Sequence, residues 1–484
     1  MKTMLFKRWN TACPAFCLVV LLMLLVYGHA LGGEKYRPKF ERWNEEKKFF
    51  DDPRPVLRNY PLHEIIPPED YAGMTFDMEE MSKKWQEAVG FKSPDITGAI
   101  APDLIPGRYG FQDKEKYPGL KELMLPLHYR RFNPGSAPFA CNFQEIEVVP
   151  TRQVYHSLPV SEATLQNMGK TGQDSRGYLI EETYRNGFPF PRPSGPFKAQ
   201  QVVYNFRERY MGLDHGVYVL QRGKSWDRSL REIYDFAMEW WGIRLSGRVV
   251  PPLGWYDERA RKRGELRLVN IKYISPRDQF GNVFWLLSRR GTEDPNQVMI
   301  WLAQIRRLRK LSGTDTQDTF PGVSLTFDDS DGFSQKLSPT IYPYEYRIVA
   351  EREFLVPHYT MDGAEYLSRN GLELKNVRME RRPLYVVEMI QKDPRYVYGK
   401  RVLYIDRETF FLIMIENYDQ KGRLWRTYEE NYSFYPELGL ANMYSAIVHD
   451  YQDPQSTYLE VFNVPPAWLS REDTSIGCLA REGK

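Results

Sequence analysis

The chain has 484 residues, with 66 Lys and Arg against 63 Asp and Glu, and 14% of its residues are aromatic, including 32 Tyr and 11 Trp. Residues 1–30 hold three basic residues and no acidic ones, so the rest of the chain balances at 63 against 63. That balance removes the electrostatic case for a nucleic-acid partner, and the aromatic content favours a large sheet with an aromatic-rich face.

In chain order, Lys2, Lys7 and Arg8 precede the apolar run Leu18 to Val26, with small residues at Gly28, Ala30, Gly32 and Gly33. This is the order of a secretory leader, expected over residues 1–32 and cut after Ala30 or Gly32. An uncleaved anchor from Ala15 to Leu31 is the alternative. Cys17 lacks the short preceding sequence of a lipoprotein signal, so a soluble exported chain is expected. Cys13 and Cys17 leave with the leader. Cys141 and Cys478 remain, either as a disulfide or as two buried thiols.

Residues 33–159 are interrupted by prolines, as in Asp52-Pro-Arg-Pro55 and Ile66-Pro-Pro68. An extended wrapping arm with short helices is expected there rather than a compact core. One helix is expected from Asp77 to Val89, where Met78, Met81, Trp85 and Val89 recur at helical spacing. A second should start near Ser161, as N-cap, with Glu162 in its first turn. The run Gly187-Phe-Pro-Phe-Pro-Arg-Pro193 is a break. A third helix is expected within Ser225–Trp241, where Trp226, Leu230, Ile233, Tyr234, Ala237 and Trp240 trace one face.

From about Leu245 the pattern becomes strands and tight turns. Strands are expected at 266–275, 282–288, 298–302, 344–350, 384–391, 400–405, 410–417 and 424–434, with Phe284 and Leu286 facing away from Val283 and Trp285. Short turns between consecutive strands require antiparallel pairing. The reading is one domain over residues 160–470, a curved or partly closed meander of roughly ten strands, with a tail at 471–484.

Local chemistry is sparse. The sequence has no His-Glu-x-x-His, Cys-x-x-Cys, Gly-x-Ser-x-Gly or phosphate-binding glycine loop, and its histidines are scattered. No catalytic residue, metal or cofactor is expected. Asp328-Asp-Ser-Asp-Gly332 puts Phe327, which has no side-chain oxygen, at the first ligand position of a calcium loop and Ser338 where it needs a bidentate Glu, so it reads as an acidic turn that orients its own backbone or pairs with Arg306 or Arg307. The basic runs at 259–263 and 306–310 read as solvated edges or turns; docking to an acidic partner or lipid headgroups is their functional alternative. Asp406 and Asp419 mark turns at opposite ends of the strand Phe410–Asn417, with Gly422 closing the second. Glu408 and Glu416 read as solvated neighbours.

The ordered set Val149-Pro-Thr-Arg152, Gly187-Phe-Pro-Phe-Pro191, Asn205-Phe-Arg207, Trp301 to Arg309, Thr326-Phe-Asp-Asp329 and Tyr404-Ile-Asp406 through Trp425 resembles the exported domain-of-unknown-function 1329 family. That family is similar to the lipoprotein-sorting proteins LolA and LolB. The resemblance runs roughly from residue 145 to 465, with a longer arm before it than such carriers need and Ala303 where relatives often have proline. It implies a mainly β (α+β) fold: a large curved antiparallel sheet, an unclosed barrel wrapped over helices around an apolar cavity for acyl chains.

Val269, Ile271, Tyr273, Phe284, Leu286, Leu412 and Met414, together with Trp226 and Trp240, could wall such a cavity, or the sheet residues simply pack on the two tryptophans as a closed core. Hiding acyl chains gains about 0.8 kcal/mol per CH₂. The function expected is periplasmic binding of a lipid, a lipidated protein or another hydrophobe, at the outer membrane or with an inner- or outer-membrane export system. The rivals are an envelope scaffold whose arm clasps a partner, and an exported hydrolase.

Overall fold

A computed structural model describes residues 68–482, except 136, 213, 215–216, 250–257, 312–314, 361–371 and 465–473. The expected leader lies outside the described residues, as do residues 33–67 of the arm and parts of the tail.

Among the described residues, fifteen strands form one sheet: β1 (Gly107–Gly110), β2 (Glu145–Val148), β3 (Val217–Trp226), β4 (Glu232–Arg244), β5 (Glu265–Ser275), β6 (Val283–Arg289), β7 (Gln297–Leu302), β8 (Arg307–Leu311), β9 (Tyr344–Pro357), β10 (Val377–Gln391), β11 (Lys400–Asp406), β12 (Leu412–Tyr418), β13 (Leu424–Tyr435), β14 (Leu440–Asp450) and β15 (Gln455–Val464). Two antiparallel meanders, β3–β8 and β10–β15, are joined where β15 pairs antiparallel with β3. The strand path ends at β1 and β8, so the sheet is unclosed. β9 adds a second partner to β10, and β2 pairs with β10 in parallel. Apart from the longer β4–β5 connection over residues 245–264, the short turns of the meanders force antiparallel neighbours, whereas β2 reaches β10 across more than 200 residues and is free to run parallel.

Helices Met78–Val89, Leu158–Asn167 and Lys198–Glu208 cover one face of this sheet. Trp85, Val160, Val202 and Phe206 pack there with Phe236, Tyr273, Phe284, Leu403, Leu412 and Val448. The first helix begins as the sequence suggests: the Glu80 N–H donates to Asp77 Oδ1 (2.8 Å), and Gly90, at φ +95°, closes the other end. Met81, Trp85 and Val89 are buried, while Met78 is exposed. The second helix starts a turn earlier than expected, at Leu158, with Ser157 at the N-cap position. Ser161 is inside it, fully buried, its hydroxyl on the His156 carbonyl (3.3 Å).

The third expected helix, Ser225–Trp241, is a β-hairpin. β3 and β4 pair from Val217↔Gly242 to Trp226↔Glu232. The connection is an Asp-led turn in which the Asp227 carboxylate accepts the Ser229 and Arg231 N–H groups (2.8 and 3.1 Å) and Leu230 takes φ +59°. The 3.6-residue spacing was coincident with a stronger period of two: Phe236 and Met238 enter the helix-covered core, while Trp241 and Ile243 face the opposite side.

The opposite face is also covered. Leu104, Leu120, Leu123, Phe132 and Phe143 pack on Trp226, Tyr444, Ile447 and Tyr458. The described part of the proline-rich segment therefore supplies a buried apolar cluster of its own, on short helices Gly119–Leu123 and Pro126–Arg131. Leu479, on the terminal helix Ile476–Glu482, meets Leu268, Val283, Trp285 and Leu287.

Candidate functional site: an open groove under a roof segment

Strands alternate their side chains between faces. On β3–β7 that alternation sends Val219, Met238, Trp240, Val269, Ile271, Phe284, Leu286 and Val298 toward one groove. The segment 315–342 crosses above them and contributes Phe320, Val323, Leu325 and Phe327. Phe284 packs on both Phe320 and Phe327, with ring centroids 5.4 and 4.9 Å apart. The roof is tied to the sheet by polar contacts. Ser225 Oγ donates to the Gly322 carbonyl (2.6 Å), and the Tyr273 hydroxyl to the Pro321 carbonyl (3.0 Å). Gly322 sits at φ +78°, so close to the Tyr234 ring that a Cβ would lie 1.8 Å from it.

The groove has two lobes of about 1190 and 900 Å³, volumes that include space open to solvent. Both are bordered by Met211, Trp240, Ile271 and Phe320, so they adjoin. Their lining is mainly apolar; among the polar groups Arg267, Asp328 and Lys336 line the first lobe, Gln221 and Asn442 the second, and Asp331 borders both. Asp331 pairs with buried Arg209 (2.7 Å), and Glu208 with Arg244 (2.5 Å). Lys336 Nζ donates to the carbonyls of Arg289 (2.7 Å) and Gly291, and burial pulls its pKa down to about 8. Arg267 is also held below the usual guanidinium range, first by burial and also by neighbouring Arg209 and Arg244.

Among the residues expected to wall a cavity, Trp240, Val269, Ile271, Phe284 and Leu286 are brought together in the groove. Tyr273 is in the same apolar core, under the roof. Trp226 is on the opposite sheet face. Leu412 and Met414 part company: Leu412 joins the helix-covered core, Met414 the outer cluster with Val386 and Tyr404. The register between β11 and β12 slips there, with Tyr404 opposite Met414 and Ile405 opposite Leu412, so Ile413 is an extra residue and the alternation breaks. Cys141 and Cys478 are buried in different clusters and are not joined by a disulfide. Burial pushes the Cys141 thiol up to about 12.

The acids behave differently from the sequence reading. Asp406 does lead a turn, accepting the Glu408 and Thr409 N–H groups (2.8 and 3.0 Å), and Asp419 does the same for Lys421 and Arg423 (both 2.9 Å). Glu408 is not solvated but fully buried. It accepts Ser93 N–H (2.8 Å), Ser93 Oγ (2.9 Å), Val154 N–H (2.9 Å) and Arg382 Nη2 (2.9 Å), and Arg382 Nε also holds Asp406 (2.6 Å). Glu416 is buried as well, accepting the hydroxyls of Tyr404 (3.2 Å) and Tyr418 (2.6 Å). The turn 328–332 does not pair with Arg306 or Arg307, which flank the exposed start of edge strand β8. Asp329 instead meets fully buried Arg401 (2.6 Å) and Thr326 Oγ1 (2.8 Å). These carboxylates are consumed by internal donors, so they are structural. Among the described residues, no three His, Cys, Asp or Glu side chains converge on a metal-sized site, and no helix is long and apolar enough to cross a membrane.

Arg267, Lys336 and the roof aromatics escaped the sequence reading. Arg267 was legible, since it is in phase with Val269, Ile271 and Tyr273 on one strand. The roof was not, because segment 315–342 has no periodicity and its path is fixed by long-range contacts.

A family model described as a protein of unknown function, DUF1329, matches residues 139–475. An uncharacterized protein of Pseudomonas aeruginosa is 21% identical over 318 residues, 62% of this chain, and the match covers 65% of that relative's length. A Vibrio parahaemolyticus domain assigned to the outer membrane lipoprotein-sorting proteins is 16% identical, with a TM-score of 0.41, covering 59% of this chain and 99% of its own. A DUF1329 protein of Desulfovibrio piger is 13% identical, with a TM-score of 0.40 and coverage of 55% and 92%. A LolA superfamily protein of Nitrosomonas europaea is 13% identical, with a TM-score of 0.35 and coverage of 58% and 98%.

Proposed function

Because the chain belongs to the DUF1329 family, whose matched region contains strands β2–β15 and both lobes of the groove, we propose that it is a non-catalytic binding protein for a lipid, a lipid-modified protein or another hydrophobic ligand. The observation that carries this reading is the groove: apolar side chains from five strands and a roof segment meet across space that stays open to solvent. Exposed apolar walls of that kind are costly in water and are relieved by a ligand that shares them.

The leader read from the sequence suits work in the periplasm, at the outer membrane or with an export system of either membrane. The scaffold alternative needs a proline-rich arm available to a partner, but Leu104, Leu120, Leu123 and Phe143 of that segment are buried on the chain's own sheet. Mass spectrometry of protein extracted without detergent should find a bound hydrophobe. A fluorescent fatty acid should also bind and be displaced by unlabelled lipid. A protein that carries nothing and ignores every such probe refutes the proposal.

A further inference from the structure

The groove is lined mainly by apolar side chains, but its first lobe also carries Arg267, a cation with no ion-pair partner of its own among the described residues, beside Asp328 and Asp331. Arg267 projects from β5 on the face that carries Val269 and Ile271, and all three line the first lobe. Its guanidinium makes no hydrogen bond or ion pair with any described residue. Its nearest carboxylates are already engaged, Glu208 by Arg244 at 2.5 Å and Asp331 by Arg209 at 2.7 Å. Its cross-strand neighbours are Arg244 on β4 and Ser288 on β6, neither of which supplies an acid. Lys336, a second cation on the wall of the same lobe, gives its ammonium hydrogens to the carbonyls of Arg289 and Gly291 and touches no carboxylate. A guanidinium presents a planar fork that matches carboxylate and phosphate, and its attraction for an anion is strengthened where the surroundings are apolar.

We infer that the groove takes an anionic amphiphile: a carboxylate or phosphate head held by the Arg267 fork with Lys336 nearby, and an alkyl tail laid along Val269, Ile271 and Phe284. This rests on the hydrophobe-binding reading above and narrows it to ligands with a negative head.

Isothermal titration of the full chain with dodecanoate, dodecyl phosphate and uncharged dodecanol, each below its micelle-forming concentration, separates the two claims. The expected result is that at least one anion binds about tenfold or more tightly than dodecanol, a difference of about 1.4 kcal/mol. The preferred anion identifies the head as carboxylate or phosphate. In Arg267→Gln the anion-to-alcohol ratio should fall toward one, and in Arg267→Lys, which keeps the charge but not the fork, it should lie between. Urea midpoints of the variants establish that they are folded, and the wild-type ratio stands as a test without them. Equal binding of all three probes by the wild type overturns the inference while leaving the hydrophobe-binding reading intact. Binding of none overturns both. A wild-type preference that Arg267→Gln retains in full overturns the assignment to Arg267.

Discussion

Replacing Glu408 by alanine discriminates sharply between a solvated carboxylate and a structural one. In the folded chain Glu408 is fully buried and accepts four hydrogen bonds, from Ser93 N–H, Ser93 Oγ, Val154 N–H and Arg382 Nη2, at 2.8–2.9 Å. In Glu408→Ala the Ser93 hydroxyl can turn to another acceptor and Arg382 keeps Asp406, but two backbone N–H groups and one edge of the guanidinium lose their partners. Two orphaned backbone donors at about 1–3 kcal/mol each and a broken buried ion pair at ~3–5 kcal/mol make a loss of at least about 5 kcal/mol the expected outcome. Urea unfolding read by tryptophan fluorescence measures it, since Trp85 Nε1 donates to the Glu408 carbonyl (2.9 Å) and reports on this seam directly. Glu345→Ala, which removes an exposed pair with Arg347, is the control and should leave the urea midpoint essentially unmoved. If Glu408→Ala also costs less than ~1 kcal/mol, the burial argument fails and the solvated reading stands.

His156 and His449 should remain neutral in the native protein at pH 5. Burial lowers His156 to about 4 and, with Arg131 adding to it, His449 to about 3. Unfolded imidazoles titrate near 6.5, so each contributes stability that is complete above that pH and is lost as pH falls toward its folded value. Imidazole NMR signals that titrate near 6.5 in the folded protein would contradict this. Ile271→Trp, at the border of both lobes, should weaken fluorescent fatty-acid binding about tenfold, or 1.4 kcal/mol, in a displacement titration. Gly322→Ala combines a strained φ with a clash on Tyr234 and should lower the urea-derived stability by ~2 kcal/mol. Dithiothreitol should leave the urea midpoint unchanged, because Cys141 and Cys478 are not bridged; a downward shift would reveal a disulfide.

The strands were legible wherever the period of two was anchored by a turn with obvious chemistry. Asp419 to Gly422 and Asp406 marked the turns on either side of β12, although the strand runs Leu412–Tyr418 rather than Phe410–Asn417, and Phe284 against Trp285 gave the facing of β6. Two periods competed at Ser225–Trp241, and aromatic residues that fit helical spacing concealed a hairpin. The helix Lys198–Glu208 had a signal, Ala199, Val202, Val203 and Phe206 at one-turn intervals, that the adjacent proline run overshadowed. Burial of charge was the least legible property. Nothing local distinguishes Glu408 from a surface glutamate, because its donors at Ser93 and Val154 are hundreds of residues away. The bulge that separates Leu412 from Met414 is equally invisible, since it exists only as a register between two strands.

That separation also orders events in time. Ser93 and Glu408 are 315 residues apart, and Trp85 and Glu408 323. Contacts across such spans are slow to form, because the intervening chain must first be gathered. A chain emerging N-terminus first, from a ribosome or through a membrane, presents the helix Met78–Val89 long before the β11–β12 turn that seats it. Until residue 408 arrives, Trp85 has no carbonyl and Ser93 no carboxylate. The last quarter of the molecule thus supplies the partners that seat the helix Met78–Val89.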